Sequence, residues 1–164
     1  MNQLSIFPAA QEIAIFSPCR QYRYTLWRRW GDDWESNFCM FIALNPSTAD
    51  EVQDDPTVRR CIRYAKSWGY SALCMTNIFA YRATDPNVMK AQAEPIGEEN
   101  DRYLIECAAK AKIVVAAWGN HGVYRDRHRQ VTAMIPDLHC LKITGAGMPS
   151  HPLYLPKNLE PFRL

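Results

Sequence analysis

The chain has 164 residues, 48% of them hydrophobic and 22% charged, which suits one compact domain with its own core. Its net charge of +2 excludes a whole-molecule basic field, so a nucleic-acid surface would have to be a local patch. There is no run of about 18 apolar residues and no basic-then-apolar leader, which sets the expectation of a cytoplasmic protein with no membrane partner.

Residues 1 to about 20 hold two prolines and no clear period, and predict an irregular N-terminal arm with room for one short strand. Tyr22 to Trp30, YRYTLWRRW, alternates bulky apolar with basic or polar side chains, the pattern of a half-buried strand, and GDDWESN supplies turn residues. Together they predict a hairpin into FCMFIAL, whose unbroken apolar run suits a strand covered on both faces. That strand stops at Asn45, Pro46 and Ser47, and four carboxylates follow before Pro56: Asp50, Glu51, Asp54 and Asp55. Pro56 fits the first turn of a helix capped by Asp54 or Asp55. Val58, Cys61, Ile62 and Ala65 then share one helix face, and Gly69 ends it.

SALCMTNIFAY reads as the next strand, running out at Asn77 into the loop FAYRATDP. A helix from Gly97 to Lys110, a buried strand in KIVVAAWG, a helix from about Tyr124 to Met134, a strand in LHCLKIT and a Gly/Pro-rich tail follow. Strands alternating with helices imply βαβ units. The expected fold is α/β: a three-layer α/β/α sandwich with a short, mainly parallel central sheet, in a single domain over residues 1–164. The six cysteines, Cys19, Cys39, Cys61, Cys74, Cys107 and Cys140, include no C-x-x-C pair. They read as reduced core residues, and neither a metal nor another cofactor is expected.

Ligands of open α/β sheets bind beyond the carboxyl ends of the strands. The topology brings Asn45, Asn77, Asn120 or His121, and His151 toward one such edge. Asn45 is suited to position a water, with a nearby carboxylate as base; loop hydrogen bonding accounts for Asn45 equally well, and helix capping and solvent exposure account for the carboxylates better. Asn77, beside Phe79 and Tyr81, suits the edge of a pyrimidine with a ring stacked on its face, but taken without further context a buried turn beside core aromatics is the better reading. His151 lies between Pro149 and Pro152, placed either to donate to an oxygen gaining charge or simply to sit on a surface loop. Arg82, Arg125, Arg127 and Arg129 suit phosphates or a solvated face.

From Tyr22 to Leu155 the chain resembles a bacterial and phage family, the domain of unknown function numbered 1643. ALNPSTADEVQDDPTVRRC, WGY, TNIFAYRATDP, IGEEND, AAWGNHG and HPLYL carry that likeness. More distantly, the order of motifs resembles the uracil-DNA glycosylase superfamily. That resemblance implies that Asn45 in ALNPS is the water-positioning residue, that Asn77 in TNIFAYR pairs with a flipped pyrimidine, and that His151 in SHPLYL faces the base carbonyl. Ala43 stands where the superfamily usually has Gly, and Leu153 where it has Ser.

The function implied is hydrolysis of the N-glycosidic bond of a flipped uracil, mismatched or modified pyrimidine in DNA. Asn45, His151, Asp54 and Asp55 would be catalytic, and Pro46, Ser47, Asn77, Phe79, Tyr81, Arg82, Asn120 and His121 would contact the substrate. The partner would be nucleic acid, DNA ahead of RNA, or a nucleotide. Two alternatives stand beside this: a non-catalytic nucleotide or nucleic-acid binding module, and a nucleotide hydrolase using the 50–55 carboxylates with a divalent metal.

Overall fold

A computed structural model of the chain describes residues 6–7 and 14–164. The arm expected over residues 1–20 thus lies partly outside the described residues. Of what is described there, Ile6 is buried, Phe7 packs edge-on against Trp34 and Phe38, and Ala14–Phe16 forms strand β1.

The remaining strands are β2 (Arg23–Arg29), β3 (Phe38–Ala43), β4 (Ala72–Asn77), β5 (Ile113–Ala116), β6 (His139–Cys140) and β7 (Phe162–Arg163). They form one sheet in the order β1-β2-β4-β3-β5-β6-β7. The β4-β3-β5-β6 centre is parallel, and β1, β2 and β7 are added antiparallel at the edges. The sheet is therefore mixed and seven-stranded, where a short, mainly parallel one was expected. The expected hairpin between β2 and β3 does not form, because β4 lies between them and pairs with both. A strand buried on both faces needs a partner on each edge, and β4 takes the place that chain proximity suggested for β2.

Helices α1 (Pro56–Ser67), α2 (Pro86–Lys90), α3 (Asn100–Lys110) and α4 (Arg127–Met134) cover the sheet. Alternate side chains of β3 enter two cores. Cys39, Phe41 and Ala43 meet Val58, Cys61, Tyr64 and Ala65 of α1 on one face. Met40 and Ile42 share the other core with Met89, Tyr103, Leu104, Cys107 and Val131 of α2, α3 and α4.

Local chemistry set α1 as expected: Asp55 is its cap, accepting from the Val58 N–H at 2.9 Å, Pro56 opens it, and Gly69 follows its end at φ +86°. Elsewhere the elements shift. The third helix starts at Asn100, not Gly97, which has φ +95°. The helix expected from about Tyr124 to Met134 forms as α4 from Arg127, entered through a 3₁₀ segment, Asn120–Asp126, that is kinked at Tyr124 and Arg125. LHCLKIT keeps two strand residues, and α2 occupies what read as loop. Among the described residues, no helix is long and apolar enough to cross a membrane.

Candidate functional site

Beyond the carboxyl ends of β3, β4 and β5 lies a cleft of about 630 Å³. The parallel register places its walls. Ala43 pairs with Asn77 across β3 and β4, and the ladder continues past both strands, with the Ile78 and Phe79 N–H groups donating to Ala43 and Leu44 at 2.9 Å. The Ala83 N–H then donates to the Pro46 carbonyl at 2.9 Å, so the two loops leave the sheet tied together. Across the cleft, the Gly119 N–H donates to the Pro149 carbonyl at 2.8 Å and brings the His151 loop beside the β5 turn. Gly119 takes φ +69° there, a conformation that favours glycine.

Asn45, Pro46, Ser47, Asp55, Asn77, Asn120, His121 and His151 all line this cleft. The Asn45 Nδ2 donates to the Ala83 carbonyl at 2.7 Å, which leaves its Oδ1 as the acceptor. Ser47 donates to the Thr84 hydroxyl, Asn120 accepts from that of Thr144 at 2.6 Å, and His121 pairs with Lys90 at 2.8 Å. His151 accepts at Nδ1 from the Leu153 N–H at 3.2 Å. Burial lowers its pKa from the ordinary value, with the charge of Asp55 opposing, so the ring is neutral near pH 7 with its proton on Nε2.

Four expected residues lie elsewhere. Asp54 does not line the cleft: it accepts from Arg28 Nε at 2.7 Å and anchors the loop. Phe79 is fully buried against Tyr124, because the extended ladder turns it into the core. Tyr81 packs edge-on against Tyr22, and Arg82 lies over the Phe16 ring. Asp50 and Glu51 also build the loop. Asp50 accepts from the Val52 and Gln53 N–H groups, which holds its carboxyl below the usual range, and Glu51 is clamped at 2.7 and 3.0 Å by Arg20. Of the four carboxylates in the loop, Asp55 alone lines the cleft.

Other residues of the site went unread in the sequence. Arg23, 2% exposed, lines the cleft, donating to the Ala49 carbonyl at 2.9 Å and to Asn77 Oδ1 at 3.4 Å. Burial pushes its pKa down to about 10, with Asp55 opposing. Trp118 borders the cleft while its side chain is buried in the core, and Gly122 must be glycine because an added Cβ would sit 2.2 Å from the Trp118 ring. Behind β4, Asn100 donates to the Asn77 carbonyl at 2.9 Å and Arg127 to the Ile78 carbonyl at 2.8 Å, fixing the strand end. Arg127, read as part of a basic helix face, is buried. Among the described residues, no group of three or more His, Cys, Asp or Glu is placed to hold a metal ion.

A family model described as a protein of unknown function, DUF1643, matches residues 23–153. No curated protein and no solved structure matches the chain.

Proposed function

The chain belongs to the DUF1643 family, and from that premise we propose that its cleft binds a pyrimidine nucleotide unit and hydrolyses the N-glycosidic bond, on a glycosylase-like α/β/α sandwich. The observation that carries this reading is the meeting of Asn45, Asp55, Asn77 and neutral His151 in one cleft at the strand ends.

In this mechanism the base enters the cleft, and the Asn77 amide hydrogen-bonds its edge. The Asn45 Oδ1 accepts from a water that attacks C1′. An amide orients water but takes no proton, so the proton passes to Asp55, whose Oδ1 is used by the helix cap and whose Oδ2 is left. As the C1′–N bond breaks, its electron pair leaves with the base, and the His151 Nε2–H donates to the base carbonyl oxygen that gains the charge. Asp55 takes the role for which the sequence offered two aspartates.

The test is base release from duplex and single-stranded oligonucleotides carrying uracil, mismatched and modified pyrimidines, with chelator present. Release is expected from at least one substrate, falling by 10²-fold or more in Asn45→Ala, the order of a lost general-base or positioning contribution. Binding without release from any oligonucleotide would leave a binding module on the same fold.

A further inference from the structure

The described residues include two fully buried arginines, and they are treated differently. Arg127 has its counter-charge in Asp101. Arg23 makes no ion pair with any described carboxylate, though it is equally buried and lines the cleft. A guanidinium carries five N–H donors in a planar fork. Two of those in Arg23 are used, on Ala49 and Asn77, and its buried Nε has no partner. Asp55 is near enough to be felt electrostatically, yet it spends Oδ1 on the Val58 N–H and forms no bridge to Arg23. A buried, unpaired charge is costly and is kept where something supplies the missing partner.

We propose that Arg23, braced by Asn77 on the floor of the cleft, is the receptor for an oxyanion of the ligand, a carboxylate or phosphate group. The fork geometry of a guanidinium matches either group with paired hydrogen bonds. Asn77 has a second part in this: its Oδ1 holds the guanidinium, and its Nδ2, which makes no bond to a described residue, is left for the same ligand. The inference rests on the proposed function only in taking the cleft as a ligand site.

The full chain is titrated calorimetrically with orotate, uracil and inorganic phosphate, with thermal midpoints recorded alongside. Orotate and uracil share a ring and differ by a carboxylate, so a carboxylate receptor binds orotate about tenfold tighter or more, the effect of a charged hydrogen bond. A phosphate receptor instead gives a saturable heat of binding with phosphate, and its thermal midpoint rises with phosphate by more than that of Arg23→Lys, which shares any general salt effect. Asn77→Asp gives Arg23 an internal carboxylate at nearly unchanged shape. It is expected to abolish either preference while raising the thermal midpoint, which separates lost binding from lost folding. Arg23→Lys, which keeps the charge and loses the fork, is expected to retain only part of the preference.

Equal binding of orotate and uracil together with no saturable heat of binding from phosphate overturns the inference, as does a preference that survives Asn77→Asp. A chain that prefers an oxyanion yet releases no base keeps this inference and loses the glycosidic reading. Base release without any oxyanion preference does the reverse.

Discussion

Burial and the Leu153 N–H together fix His151 as a neutral imidazole. Its folded pKa lies below the ordinary value of about 6.5, so on acidification the unfolded chain takes up this proton first. Stability therefore falls as pH drops from about 6.5 to the folded value, and this contribution stops growing below it. Denaturant midpoints between about pH 7 and about pH 5 are expected to fall less steeply for His151→Asn than for the natural chain. The residue scale is also where the sequence concealed most. Arg23 stood in an alternating strand, where basic side chains read as solvent-facing. The register between β1 and β2 shifts there, with Phe16 opposite Arg23, Ile15 opposite Thr25, and Tyr24 left without a partner. A bulge of this kind re-aims side chains, so counting alternate positions could not find Arg23.

Elements whose rules are local were legible, and those whose rules are not were missed. The start of α1 is written in Asp55, Pro56 and Val58, because a cap, a fixed φ and a first buried residue need no distant partner. The order of strands depends on which edge is free, which is why β4 went unseen between β2 and β3. Of the two readings the sequence left open for Phe79, the core one holds, because hydrogen bonds beyond the end of β4 decide which way it faces. Asp55 tests the local rule directly. Asp55→Ala is expected to lower stability by about 1 kcal/mol through loss of the cap, whereas Asp55→Asn keeps most of that stability. Urea unfolding of both variants measures the difference, and equal losses would mean that charge, not capping, is what the helix draws from this residue.

Across the whole molecule, the segment after the family match is a strap over α1. Arg60 donates to the Leu155 carbonyl at 2.9 Å, Trp68 to the Leu159 carbonyl at 3.0 Å, and the Tyr64 hydroxyl to Pro156. Leu155 and Leu159 pack on the core beneath, and β7 then closes the edge of β6. A chain ended after Leu153 is expected to keep its circular-dichroism spectrum and lose on the order of 3 kcal/mol, about 1 for each hydrogen bond. Faster amide exchange should be confined largely to α1 and to β6, which loses its β7 partner, and exchange rising equally in β3 and β4 would refute the strap. The opposite edge of the sheet carries a different kind of addition. The β1–β2 hairpin brings Arg23 to a cleft whose Asn45, Asn77 and His151 all come from the parallel centre and its loops. The charge of the cleft and its amide groups thus come from different stretches of the chain. A change confined to that hairpin would therefore alter the charge of the cleft while leaving Asn45, Asn77 and His151 in place, so the residues around Phe16 and Arg23 are where its electrostatics can be reset on their own.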